Sequence, residues 1–166
     1  MKGHKTPTGR RRVLASDLVE FLRAHDMTVP PELEEGNGTE TIVVVEDDVT
    51  YLRALVRSLE KADLDVEVVE ATSGVDGLLE IGRVQPALIV LDYRLPDLNA
   101  DEIVQRLLEP GRHLDAEVIV VTGGVVAEEE ERLRRVGVRK IVNKADGMSA
   151  VIEAIQQALR QRQQAA

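Results

Sequence analysis

Between residues 41 and 160 the chain alternates between two hydrophobic patterns. Short runs dominated by aliphatic and β-branched residues cover Thr41–Val45, Asp65–Val69, Ala87–Leu91, Glu117–Val121 and Val138–Val142. The stretches between them place apolar residues three or four positions apart. Leu52, Leu55, Val56 and Leu59 do so in 50–62, Ile103, Val104, Leu107 and Leu108 in 100–109, and Val151, Ile152, Ile155 and Leu159 in 149–162. Residues 74–83 read as a weaker helix interrupted by Gly77, and 127–135 as a highly charged one. A run without polar alternation suits a strand buried on both faces, and three-to-four spacing suits a helix with one buried side. Strands of that kind separated by helices predict an α/β fold, a doubly wound five-stranded parallel sheet with five helices and right-handed crossovers.

The pattern breaks before residue 40. Val29-Pro30-Pro31 cannot continue a helix, and Glu34-Glu35-Gly36-Asn37-Gly38 is polar and glycine-rich. Ahead of the break, Ser16 to Ala24 reads as one short helix with Leu18, Val19, Phe21 and Leu22 clustered on one side. One such helix cannot bury a core alone. The expected organisation is therefore an extension over 1–39, with a basic tip, a helix and a linker, and a domain over 40–166.

Composition narrows the chemistry. Among 166 residues there is no cysteine, which excludes a disulfide scaffold, a thiolate zinc site and a cysteine nucleophile. Aromatics are 2% of the chain and the hydrophobic share is 43%, so the core must be aliphatic. No apolar run approaches the length of a membrane span, and no signal peptide opens the chain, so a soluble, cytoplasmic protein without membrane contact is expected. The net charge of −9 is uneven: residues 1–12 hold Lys2, Lys5, Arg10, Arg11 and Arg12 and no acid, so the remainder carries −14. An acidic body disfavours a broad nucleic-acid footprint.

In a doubly wound sheet the ligand site lies beyond the C-terminal ends of the strands. The residues there are Glu46-Asp47-Asp48 after the first run, Asp92 after the third, Thr122-Gly123-Gly124 after the fourth and Asn143-Lys144 after the fifth. Glu46, Asp47 and Asp92 would converge, and three carboxylates do not stay ionised together without a counter-charge. Oxygen-only ligands at a half-open site suit Mg²⁺. With Lys144 and the Thr122 hydroxyl alongside, the set can neutralise a phosphoryl group while a carboxylate attacks phosphorus. Each piece alone has an ordinary explanation: Asp48 as a helix N-cap, Asp92 and Pro96 in a turn, Thr122-Gly123-Gly124 as a strand-to-helix turn, Lys144 on a surface. Their joint placement after four strands is what points to chemistry.

Those residues also carry a resemblance. Ile42-Val-Val-Val-Glu-Asp-Asp48, Pro86-Ala-Leu-Ile-Val-Leu-Asp92-Tyr-Arg-Leu-Pro96-Asp97, Val118-Ile-Val-Val-Thr122 and Lys144 resemble the receiver domain of two-component response regulators over residues 41–160. The resemblance implies a flavodoxin-like sheet of order 2-1-3-4-5. It implies Asp92 as phosphoacceptor. Mg²⁺ would be held by Glu46, Asp47, Asp92 and the main-chain carbonyl of Arg94, with Thr122 and Lys144 on the phosphoryl group. A histidine kinase or phosphotransfer protein would be the donor and a further protein the downstream partner. A homodimer is left open. Such a protein is a phosphoacceptor rather than a turnover enzyme. Four positions depart from the family pattern. Ile141 stands where the fifth strand usually has Tyr or Phe, Ala145 where proline usually follows the lysine, Ala100 where glycine is usual, and Gly123 where alanine is usual. They bear on the output switch more than on the charged groups. A trans bond, or a strained cis one, is expected at Lys144–Ala145.

Two further features remain. Glu128/Arg132, Glu130/Arg134 and Glu131/Arg135 are spaced as i,i+4 pairs, which predicts a self-paired solvated helix face, with a dimer or partner surface as the functional alternative. Lys5-Thr6-Pro7-Thr8-Gly9-Arg10-Arg11-Arg12, Ser16-Asp17-Leu18 and Phe21-Leu22-Arg23 resemble the wing and following helix of excisionase/MerR-type winged helix-turn-helix domains. The recognition helix is missing, so any DNA contact would be to the backbone. Three alternatives therefore stand beside the phosphoacceptor: a phosphorylation-independent interaction module, a DNA-binding regulator using the basic tip, and a metal-dependent phosphatase with Asp97 as its separate acid/base.

Overall fold

The computed structural model describes residues 4–5, 11–12, 15–30, 39–109 and 114–165. Two compact units emerge: Met1–Glu40 with Asp65–Glu67, and Thr41–Leu64 with Val68–Ala166. In the first, β1 (His4–Lys5) pairs antiparallel with β2 (Arg11–Arg12), and α1 (Ala15–Ala24) follows. The helix begins one residue before the expected Ser16. Two-residue strands are too short to leave a periodic signal, so the hairpin has no counterpart in the hydrophobic pattern. The linker over 31–38 lies outside the described residues, as does most of the basic tip.

The second unit carries the sheet, apart from Glu40, Val66 and Glu67, which group with the first. Its elements are β3 (Glu40–Val45), α2 (Val49–Lys61), β4 (Val66–Ala71), α3 (Gly74–Val84), β5 (Leu88–Asp92), α4 (Ala100–Leu107), β6 (Glu117–Thr122), α5 (Ala127–Arg135), β7 (Lys140–Asn143) and α6 (Met148–Ala165). The strands form a five-stranded parallel sheet in the order β4-β3-β5-β6-β7, the flavodoxin-like arrangement. Register is fixed by Val43 opposite Ile89, Ile89 opposite Val118, and Val120 opposite Ile141. Strand order reverses between β3 and β5, so the switch-point crevice opens where Glu46 and Asp92 emerge.

Continuous burial explains the continuous apolar runs. Val43, Val44, Val45, Leu88, Ile89, Val90 and Leu91 are all buried. The helices cover both faces with single apolar sides, as Leu52, Leu55, Val56 and Leu59 do on α2. The last strand starts later than expected because Val138 serves the preceding helix end. Gly137 takes a positive φ of 96°, and the Val138 N–H reaches back to the Leu133 carbonyl at 3.0 Å. Val138 is buried as the apolar partner of that helix cap, outside the strand.

Helix α3 runs through Gly77 without interruption. The glycine is needed for packing: a Cβ there would lie 2.7 Å from Val45 Cγ2 and 2.9 Å from Cγ1. Gly77→Ala gains helix propensity but forces the helix off β3, so a net loss of about 1–2 kcal/mol is expected in urea unfolding. Equal or greater stability of the variant would show that α3 moves away freely.

Candidate functional site

Glu46 leaves the end of β3 with its carboxylate buried, Asp92 ends β5 at 9% exposure, and Asp47 is exposed beside them. Oxygen atoms from the three carboxylates lie within 4.8 Å of one another. Asp48, the next residue, does the helix-capping work. Its side chain accepts from the Thr50 and Tyr51 N–H groups at 2.9 and 3.1 Å and starts α2. The run Glu46-Asp47-Asp48 thus divides into two site acids and one cap. The Asp48 N–H in turn donates to Glu46 Oε1 at 3.1 Å, aiming that carboxylate.

Lys144 enters from the opposite edge of the crevice, at the start of a 3-10 turn over Lys144–Asp146 that follows β7. Asn143 caps the turn by accepting from the Ala145 N–H at 2.9 Å. The Lys144 ammonium donates to Glu46 Oε2 at 2.6 Å and lies 3.4 Å from Asp92 Oδ2. The described residues hold no cis peptide bond, so Lys144–Ala145 is trans, the first of the two expected outcomes. Thr122 ends β6, which pairs β5 on one side and β7 on the other, and is buried at the same sheet edge. Its hydroxyl accepts from the Gly124 N–H at 3.2 Å. Ile141 occupies β7, which has no aromatic.

The electrostatics are those of excess negative charge. Burial raises the Glu46 carboxyl above its ordinary value against the pull of Lys144, with Asp92 adding to the rise. Asp92 is raised for the same first cause, burial, and Lys144 again opposes it. For Lys144, burial disfavours the ammonium, but the hydrogen bond to Glu46 and the charge of Asp92 outweigh it and hold its value up. One ammonium faces three carboxylates, an all-oxygen donor set that a hard dication fits.

The loop after Asp92 is anchored on both sides. Asp97 accepts from Gly74 N–H at 2.7 Å and Val75 N–H at 2.8 Å, joining the loop to the first turn of α3. Its own neighbour Leu98 adds a third N–H at 3.0 Å. The Val75 hydrogen bond above all holds the Asp97 carboxyl below its ordinary value. Three backbone N–H groups thus tie this carboxylate to the loop and to the start of α3. Asp97→Ala should cost about 1–2 kcal/mol at neutral pH. A lowered carboxyl contributes above its unfolded value and loses that contribution as pH falls through the folded one. The gap to wild type should therefore narrow in acid, which denaturant melts across pH can read. A gap that is constant with pH would contradict the capping role.

On the other side, Arg94 bonds Glu129 at 3.1 Å, and Glu129 also accepts from the Val126 N–H at the start of α5. Of the expected helical ion pairs, Glu130–Arg134 and Glu131–Arg135 form at 2.6 and 2.5 Å. Glu128–Arg132 does not. Arg132 turns to Asp101 on α4 at 3.6 Å and to the Tyr93 hydroxyl at 3.5 Å. Partners on a neighbouring element win over the partner on its own helix. Sequence reasoning misses the roles of Tyr51, Tyr93, Asp97 and Glu129, whose partners are all distant along the chain or on the backbone.

A parallel sheet with an acid cluster and a lysine at its switch point defines the class: a doubly wound α/β domain whose charged groups gather at the carboxyl ends of its strands. The model of the response regulator receiver domain matches residues 42–156, and the chain belongs to that family. Among curated relatives, the photosynthetic apparatus regulatory protein RegA of Rhodobacter capsulatus is 33% identical over 97 residues, 58% of this chain and 50% of RegA. The match thus spans half the length of that relative. The polar-differentiation response regulator DivK of Brucella ovis is 28% identical over 117 residues, 70% of this chain and 94% of DivK. Among solved structures, a CheY-like receiver domain protein from Methanospirillum hungatei JF-1 superposes with a TM-score of 0.67 at 24% identity, over 78% of this chain and all of that one. The N-terminal residues up to 41 lie outside the family match, so nothing in these comparisons supports the winged-helix resemblance. Among the described residues no helix is long and apolar enough to cross a membrane.

Proposed function

We propose that the chain accepts a phosphoryl group on Asp92 from a histidine kinase or phosphotransfer protein, and relays the change to a downstream protein. The observation that carries this reading is the convergence of Glu46, Asp47 and Asp92 within 4.8 Å, with Lys144 held between Glu46 and Asp92. Glu46, Asp47, Asp92 and the Arg94 carbonyl are the residues that would hold Mg²⁺. When bound, the ion supplies positive charge to the phosphoryl oxygens. An Asp92 carboxylate oxygen forms the new bond to phosphorus as the donor's P–N bond breaks and its electron pair returns to the histidine nitrogen. Lys144 neutralises a phosphoryl oxygen, and the Thr122 hydroxyl is the nearby donor from β6. The product is an acyl phosphate on a protein that starts and ends one cycle of modification, so we class it as a signalling phosphoacceptor and not as an enzyme.

Ile141 favours a second reading, an interaction module that works without phosphorylation, because the usual aromatic reporter is missing. Beryllofluoride, a phosphoryl mimic, separates the two. The phosphoacceptor predicts Mg²⁺-dependent binding with amide shifts around Asp92, Thr122 and Lys144. Absence of binding at millimolar Mg²⁺ would favour the module.

A further inference from the structure

Tyr51 is a half-buried aromatic at this site to which phosphoryl transfer assigns no task. It stands in the first turn of α2, its N–H held by the Asp48 cap. The Lys144 ammonium lies over its ring, 4.3 Å from the centroid. Its hydroxyl is buried and makes no hydrogen bond. The phenol proton is harder to lose than usual, first because of burial, with Glu46 and Asp92 adding to the rise against Lys144.

A lysine ammonium is a compact charge on a flexible stem, with no planar fork to fix its direction. Two of its contacts are to carboxylates, Glu46 and Asp92, and both of those carboxylates are wanted elsewhere when the site is loaded. A ring face attracts the ammonium through its quadrupole without competing for those oxygens, and does so more strongly where water is excluded.

We propose that Tyr51 is a positioning residue for Lys144: its ring face holds the ammonium beside Asp92, so that a phosphoryl group arriving there meets a cation already in place. The proposal deepens the phosphoacceptor reading and rests on it. The ring carries the function and the hydroxyl does not. An unpartnered buried hydroxyl is a cost to the fold, so Tyr51→Phe should melt at or above the wild-type temperature.

The test uses the full chain as wild type, Tyr51→Phe and Tyr51→Leu. Two quantities are measured: the rate of Mg²⁺-dependent labelling by acetyl phosphate, and the NMR shift of the Lys144 Cε protons, assigned through Lys144→Arg. A ring face moves those protons upfield, which reports whether the ammonium end stays over the ring in solution, while the labelling rate and its rescue by phenylalanine report whether that placement serves the reaction. Tyr51→Leu should lose the upfield shift and label about five- to tenfold more slowly, the range expected for one cation–π contact. Tyr51→Phe should recover both. Should the leucine variant fail to fold, Tyr51→Met fills the space with a flexible side chain and carries the same expectation. A leucine or methionine variant that labels as fast as wild type overturns the role of the ring. So does a phenylalanine variant as slow as leucine, or a wild type without the upfield shift. A wild type that takes no label overturns instead the phosphoacceptor reading beneath it.

Discussion

Lys144→Ala should destabilise the metal-free protein by about 2–3 kcal/mol at neutral pH, and added Mg²⁺ should recover much of the loss. Removing one partner of a buried charge pair typically costs about 3–5 kcal/mol, because the other is left uncompensated. Here the figure is discounted, since the Lys144 side chain is 21% exposed and Asp47 lies open to water. The Glu46 side chain is 4% exposed and bears the cost. Its carboxyl and that of Asp92 already sit above their ordinary values through burial. An acid raised in the folded state favours folding below its unfolded value and loses that advantage as pH rises through the folded one. The variant's deficit should therefore be small in acid and grow towards neutrality. A ligand at about one hundred times its dissociation constant adds about 2.7 kcal/mol of stability. Mg²⁺ should stabilise Lys144→Ala more than it stabilises wild type, since it meets carboxylates that no longer have the ammonium. Thermal melts with and without Mg²⁺ read the difference. Equal shifts in both proteins would mean that the lysine and the ion do not share these carboxylates.

Much of the architecture is legible in the sequence, and for a physical reason. Parallel strands covered on both faces must be apolar at consecutive positions, so β3, β5 and β6 announce themselves, and the acids that close β3 and β5 are confined to one edge of the sheet. What stays hidden depends on contacts that no local pattern encodes. Val138 resembles strand because it is apolar, yet it is buried to finish α5. Gly77 resembles a break, yet Val45 of another element requires it. Arg132 has a suitable acid one turn away and still pairs with Asp101 and Tyr93. Tyr51 reads as one more position on α2, and only the approach of the β7 end brings Lys144 over its ring.

The same reasoning bounds the basic tip. Its charge remains a property of the chain, and its hairpin and helix are present, but the family match begins beyond them. The −14 of the rest of the chain is partly accounted for. Three acids form the cluster at the switch point, Asp48 and Asp97 cap helices, and Glu129, Glu130 and Glu131 are paired with arginines.

The largest expected effect is the loss of phosphorylation on replacing Asp92. The Asp92→Asn variant would keep the shape of the side chain and an oxygen for Lys144, and would lose the nucleophilic charge. It would also lose one of the carboxylates that raise Glu46, so it should melt at or above wild type. Loss of label could then not be assigned to unfolding. The decisive measurement is intact-protein mass after incubation with acetyl phosphate, for wild type with Mg²⁺, wild type with a chelator, and Asp92→Asn with Mg²⁺. One phosphoryl increment in the first sample and none in the other two is the predicted result. An unlabelled wild type, or an Asp92→Asn variant labelled as fully as wild type, would contradict the assignment of Asp92 as phosphoacceptor.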